Sequence, residues 1–271
     1  MLATIRMALG LIVIAIAILL VIPTQYIALK TGLYSMNFGS RWCHWAMAKA
    51  LGFRIVKHGE MARERPLLIA SNHISWTDIL VIGSMTEGSF IARGDMAGWP
   101  FLGWLSTLQK TIFVDRKRKG TSGAQASDVG KRLAGNDPVI LFAEGTTGDG
   151  NFILRFNSTL FGAADMAIRE GGAEKVFIQP VAIVYTRFHG MPMNRQHRPL
   201  AAWIGDNELW PSIRQHLREG AMDVEVFFGE PVEYTPASRR KVAAKEIEDK
   251  VRSLVSDRLR DVKRADALPL P

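Results

Sequence analysis

The stretch Asn72–Asp78, "NHISWTD", sets an imidazole and a carboxylate, His73 and Asp78, five residues apart. On a continuous helix a step of five turns about 140°, so the two side chains would point to different faces. They meet only if His73 lies in a turn and Asp78 in the first turn of the helix after it. The flanks suit that arrangement: "LLIAS" (67–71) reads as a strand, Asn72 as a turn former, and a helix begins near Ser75. Ser75-x-x-Asp78 reads equally as a capping box, with the carboxylate reaching back to the cap. Both readings stay open on these residues, and they are compatible. A carboxylate near a helix N-terminus stays ionised, and it can orient an adjacent imidazole that then serves as a general base near neutral pH.

Two further stretches place polar chemistry after an apolar run. Phe142–Asp149, "FAEGTTGD", follows "VILFA" (139–143) and sets Glu144, Gly145, Thr146 and Thr147 in a turn rich in backbone N–H groups, suited to a polar or anionic ligand. An ordinary strand-to-helix turn explains the same residues. Ile112–Arg116, "IFVDR", runs into Lys117, Arg118 and Lys119, which read as a solvated basic loop, whereas Arg116 sits where a strand ends. In a parallel sheet, ligands collect beyond the carboxyl ends of the strands, and all three stretches occupy that edge.

The elements that must position them alternate. Besides the runs above, "SFIA" (89–92), "TIFV" (111–114), "VFIQPVAIVY" (176–185), "LAAWIG" (200–205) and "DVEVFFG" (223–229) read as strands. Helical patterns cover Ile79–Met85, Ser122–Leu133, Ser158–Arg169 and Asn207–Leu217. The expectation is an α/β fold with a largely parallel central sheet flanked by helices. Ser238–Arg264 is a charged helix with one apolar stripe (Ile247, Val251, Leu254, Val255, Leu259, Val262), expected to pack on the domain, with a membrane-surface or carrier-docking role as the alternative.

At the N-terminus, Met7–Ile22 contains no charge. As a helix it spans roughly 24 Å against a hydrocarbon core of about 30 Å. Pro23 interrupts it, and Arg41–Val56 supplies a second, Trp-bearing stretch. We read residues 1–60 as a helix–break–helix membrane anchor that either dips into one leaflet or spans. Residues 61–264 form the main domain with its charged C-terminal helix, and 265–271 are a tail. A cleaved signal peptide is the alternative, but no small-x-small site closes the run. Basic residues follow the run in excess, so a spanning helix would keep the domain in the cytoplasm. The net charge of +8 favours acidic partners such as anionic lipid or an acidic carrier protein. No nucleic-acid module is recognisable. Cys43, the single cysteine, excludes an internal disulfide and suits packing. One histidine and one aspartate make a poor ligand set, so no metal is expected.

The motifs resemble a family. "NHISWTD" resembles the N-H-x4-D block of the glycerolipid acyltransferases, the 1-acylglycerol-3-phosphate acyltransferase group. "IFVDR" is similar to the second block, "FAEGTT" to the third (usually F-P-E-G-T-R), and "IQPVAI" (178–183) to the fourth, in the family's order across residues 66–190. The resemblance implies that His73 is a general base with Asp78 as partner, and that Arg116, Glu144 and Gly145 hold the acceptor. It implies a membrane-anchored enzyme moving an acyl chain from acyl carrier protein or coenzyme A to a lysolipid hydroxyl. No cofactor is required, and the setting would be the cytoplasmic face of a bacterial inner membrane. A thiolate leaves readily, so no acyl-enzyme is needed, and no Gly-x-Ser-x-Gly elbow suggests one. Two departures bear on the acceptor: Ala143 replaces proline, and Thr147 stands where arginine is common. Threonine cannot give bidentate phosphate recognition, although Arg116 and Arg155 could substitute. With "YTRFHGMPM" and "RPLAAWIGD", the "EGTTGDG" form resembles the lyso-ornithine lipid acyltransferase branch, whose lipid lacks phosphate. Lysophosphatidic acid is the alternative acceptor. A lipid-binding protein without catalysis and a lipid hydrolase are the rival classes.

Overall fold

The structure, a computed structural model, describes residues 1–31, 36–114, 129–205 and 208–267. Strands β1 (Phe53–His58), β2 (Leu67–Ser71), β3 (Ser89–Arg93), β4 (Ile112–Val114), β5 (Val139–Phe142), β6 (Val176–Phe188), β7 (Met191–Pro192), β8 (Met222–Phe228) and β9 (Val232–Tyr234) form one sheet. Its main path runs β1-β8-β6-β2-β5-β3-β4, and β7 and β9 pair with β6. The half that carries the motifs (β6, β2, β5, β3, β4) is parallel, whereas β8 meets β6 antiparallel. A mixed α/β sheet flanked by helices is therefore what the chain builds.

Period-two alternation decides the layers. In β2, Leu68 and Ala70 face one core, which they share with α5 (Gly162–Arg169), α7 (Arg240–Ala267) and helical residues 129–134. Leu67 and Ile69 face the other, with α3 (Thr77–Gly83), the end of α2 (Met36–Ala50) and α6 (Leu209–Glu219). Every residue of β2 and β5 is buried, as expected for central strands covered on both faces. The stripe Ile247, Val251 and Val255 of α7 lies in the first core, so this helix is packed on the domain.

Three expectations need correction. The N-terminal helix does not break at Pro23: α1 runs continuously over Leu2–Thr31. The hydroxyl of Thr24 donates to the carbonyls of Leu20 (3.2 Å) and Val21 (2.8 Å), using acceptors beside the gap that the proline leaves. The stretch Arg41–Val56 is not one helix. It ends at Ala50, Gly52 turns the chain at φ +81°, and Phe53 opens β1, which pairs in parallel with β8. The sheet thus begins before residue 60. "LAAWIG" is no strand: Arg198–Leu200 is a 3-10 turn, and the chain then runs irregularly because the backbone groups of Trp203 are taken elsewhere.

A helix as apolar as α1 is long enough to cross a membrane. One side of it is nevertheless fastened to the domain along its length. Arg6 donates to the carbonyl of Leu51 (3.1 Å), Ala17 and Val21 pack against Cys43 and Ala46, and Gln25 donates to the carbonyl of Leu108 (3.4 Å) in α4 (Leu102–Leu108). At Gly10 an added Cβ would stand 2.6 Å from Leu217 Cδ2 of α6. The opposite side, including Leu9, Ile12, Ile16 and Leu19, is exposed, as are Trp42 and Trp45 of α2. Gly10→Val should therefore cost about 1–3 kcal/mol through overpacking, read as a lower melting temperature. An unchanged melting temperature would mean that α1 does not dock on α6.

Candidate active site

His73 and Asp78 meet. Strand β2 ends at Ser71, and the amide side chain of Asn72 pins the next residues to β6 by accepting from the N–H of Ile183 (2.8 Å) and donating to its carbonyl (3.0 Å). The chain then turns through His73–Trp76 into α3, whose first turn carries Asp78. The carboxylate is fully buried, and one oxygen, Oδ2, accepts from His73 Nδ1 (2.9 Å) and from the N–H groups of Ile74 (2.6 Å) and Ser75 (2.9 Å). The bond to Ser75 is the reach-back that the spacing anticipates, although Ser75 itself is not the cap: the N-cap of α3 is Trp76, one residue later. The other oxygen, Oδ1, accepts from the hydroxyl of Tyr185 (2.8 Å), which lies 2.6 Å from that of Thr77. Since Tyr185 spends its proton on Asp78, Thr77 donates to Tyr185. Burial, with the Asp78 charge second, holds the Tyr185 phenol well above its ordinary range, so it remains a donor.

A carboxylate only accepts, so His73 Nδ1 carries a proton, and in the neutral ring Nε2 keeps its lone pair. The imidazole stacks on Phe142 (centroids 4.0 Å apart, planes 12° apart), and its side chain is 17% exposed. It is fixed on one side and open to a reactant on the other.

The "FAEGTTGD" turn braces this loop. The N–H of Gly148 donates to the carbonyl of His73 (2.8 Å), and Gly145 takes φ +76°, which a side chain would resist. Glu144 is buried, with Oε2 unpartnered among the described residues. Burial raises its pKa to about 8, with the backbone N–H groups of Leu154 and His73 opposing and the Asp78 charge adding to the rise. Thr147 is engaged internally: its hydroxyl donates to the carbonyl of Trp203, whose N–H donates to the carbonyl of Ile74 (2.9 Å). Thr146 and Arg155 are exposed, and Arg116 lies outside the described residues. Among the described residues no group of three or more His, Cys, Asp or Glu side chains is arranged to hold a metal. Cys43 is buried in α2 with its thiol pushed up to about 11 by burial, which suits packing.

Comparison with known proteins bears on what this arrangement is for. Residues 54–184 match the model of the Acyltransferase family. The chain is 46% identical to the lyso-ornithine lipid O-acyltransferase of Brucella abortus, over 96% of this chain and 97% of that one. It belongs to the Acyltransferase family. The lyso-ornithine lipid O-acyltransferase of Rhizobium meliloti is 43% identical over 97% of this chain and 90% of its own length. Among solved structures, the 1-acyl-sn-glycerophosphate (LPA) acyltransferase PlsC from Thermotoga maritima superposes with a TM-score of 0.61 at 17% identity. That match covers 99% of this chain and 98% of the other, and it establishes the shared fold. The chain is an acyltransferase, as its motifs imply.

The sequence reading missed Tyr185 and Thr77. Tyr185 closes an apolar strand run more than a hundred residues from Asp78, and only the pairing of β2 with β6 brings them together. Glu144 has a consequence for stability. Folding raises its pKa from 4.5 to about 8, so the folded chain holds a proton that the unfolded chain releases in between. Its stabilising contribution is complete below about pH 4.5 and is lost as the pH rises towards 8. Glu144→Gln removes the titration and should shrink the difference in melting temperature between pH 5 and pH 8. An unaltered difference would show that Glu144 does not stay protonated in the fold.

Proposed function

We propose that this acyltransferase esterifies the hydroxyl of lyso-ornithine lipid with an acyl group from a thioester, using His73 as general base. The observation that carries the mechanism is an imidazole whose Nδ1–H is held by the fully buried Asp78 carboxylate. The acceptor oxygen attacks the thioester carbonyl carbon while its proton passes to His73 Nε2, and Asp78 stabilises the imidazolium. The tetrahedral oxyanion then collapses, the C–S bond breaks, and the thiolate leaves and takes the proton from the imidazolium. No covalent acyl-enzyme forms. Glu144, Gly145 and Gly148 hold the loop opposite His73, while Arg116 and Arg155 remain the cations assigned to the acceptor from sequence.

The acceptor reading rests on the names of the two relatives at 43% and 46% identity, and on Thr147. The threonine stands where the related phosphate-directed pattern has arginine, and its hydroxyl is engaged with the 203 carbonyl, which leaves it nothing to offer a phosphate. The donor is an acyl thioester of coenzyme A or of acyl carrier protein; the net charge of +8 favours the acidic carrier.

The enzyme works at a membrane surface, the cytoplasmic face of a bacterial inner membrane. Contacts from Arg6 to Gln25 fasten α1 to the domain over about 28 Å. A helix held at both ends by the same globular body lies in one leaflet, with Leu9, Ile12, Ile16 and Leu19 towards the acyl chains and Trp42 and Trp45 at the interface.

His73→Ala should lower kcat by about 10²–10⁴-fold in a variant that still folds cooperatively, with its melting temperature lowered by the one donor that Asp78 loses. Retained turnover in a folded variant would remove the base. Offered lyso-ornithine lipid and lysophosphatidic acid with one acyl donor, the wild type should prefer the former. A strong preference for the phosphate-bearing acceptor would overturn the acceptor assignment.

A further inference from the structure

Arg198 is a cation in an unusual place. It opens the 3-10 turn Arg198–Leu200 and is only 6% exposed. Its Nη1 donates to Asn151 Oδ1 (3.1 Å), while Nε is buried without a partner. No carboxylate pairs with the guanidinium among the described residues. The acid whose charge favours the cation, Asp149, is already held by the backbone N–H of Asn151 (2.9 Å) and its side-chain amide (3.1 Å). Burial and the neighbouring Arg195 both act against the charge on Arg198.

Leaving a buried guanidinium without a counter-charge costs several kcal/mol, and proteins rarely do so unless an anion arrives from outside. The place where one would arrive is defined. Arg198 lines a small cavity together with Asn72, Ile74, Glu144, Gly150 and Tyr185, the residues that frame the His73 loop. The cavity measures about 10 Å³, room for one water-sized group. Glu144, which also lines the cavity, holds another unpartnered polar atom, Oε2. This carboxyl is held protonated to about pH 8, so it does not neutralise the cation near pH 7. The cavity is thus lined by an uncompensated positive charge and by two residues that each keep one unpartnered polar atom.

We propose that Arg198 selects the acceptor headgroup by donating a charge-assisted hydrogen bond from Nε to one carboxylate oxygen of an amino-acid headgroup. The inference rests on the acceptor reading above. Ornithine carries a carboxylate and two amines, so an N-acylated ornithine keeps the carboxylate and one ammonium. A single carboxylate oxygen matches a cavity that admits one water-sized group, whereas a phosphate dianion presents three oxygens to one free N–H. Asn151 is a positioning residue here: it fixes Nη1 and so aims Nε.

The test is steady-state kinetics on the full-length enzyme with one acyl donor and two acceptors, lyso-ornithine lipid and the same lipid with its carboxylate converted to a primary amide. The wild type should lose about 10- to 100-fold in kcat/KM on the amide, mostly through KM. Arg198→Gln should treat the two alike, with the carboxylate acceptor brought down to the level of the amide. Arg198→Lys, which keeps the charge but not the fixed fork, and Asn151→Ala should each give a smaller loss confined to the carboxylate acceptor. These two keep the test valid if Arg198→Gln does not fold. Equal losses on both acceptors, or a wild type indifferent to the amide, would overturn the assignment and leave Arg198 bridged to Glu144 by a buried water. A wild type that acylates only lysophosphatidic acid would instead show that the acceptor reading failed, and the carboxylate assignment would fall with it.

Discussion

The arrangement depends on one buried charge. Asp78 sits with no exposure to water, where an isolated carboxylate would cost several kcal/mol. Four donors offset that cost: His73 Nδ1, the N–H groups of Ile74 and Ser75, and the Tyr185 hydroxyl. They come from more than one constraint. The two N–H groups require the turn after β2, and Tyr185 requires the register that pairs Ala70 with Pro180 and Ser71 with Val181. Shifting that register by one residue would put Tyr185 on the other face of the sheet. The sheet, the turn and the base are therefore one electrostatic unit.

The same economy explains why the surrounding loops are not ordinary connections. The 145–148 turn spends an N–H on the His73 carbonyl, and Trp203 spends its N–H on the Ile74 carbonyl while its own carbonyl takes the Thr147 hydroxyl. These bonds tie the loop after β2, the loop after β5 and the segment after the 3-10 turn at Arg198 into one frame. Arg198 and Glu144 face the cavity inside it, each with one unpartnered polar atom. A frame this tightly bonded keeps an imidazole preorganised, while the exposed face of α1 places the frame at a lipid surface.

Much of this was legible in the sequence, for local reasons. An apolar run, a turn former and a capping spacing sufficed to place His73 and Asp78, because the bonds joining them span five residues or fewer. Tyr185 was illegible because its role depends on a strand partner far away in the chain. The alternation in "LAAWIG" is that of a strand, but its backbone partners are Ile74 and a threonine hydroxyl, which no periodicity can announce. Strand β1 was hidden because the helix before it and the strand share one apolar-basic texture. Only Gly52, with its positive φ, marks the change. Nothing in the sequence around Arg198 announces its burial, which is a property of the fold alone.

The central claim is that Asp78 fixes His73 in a single tautomer, with the proton on Nδ1 and the lone pair of Nε2 facing the reactant. Nitrogen-15 NMR of the histidine-labelled enzyme, in the pH range where His73 is neutral, tests this directly. The account predicts a protonated Nδ1 and an unprotonated Nε2 for His73 in the wild type, and loss of that fixed pattern in Asp78→Ala. A His73 that carries its proton on Nε2 in the wild type would contradict it.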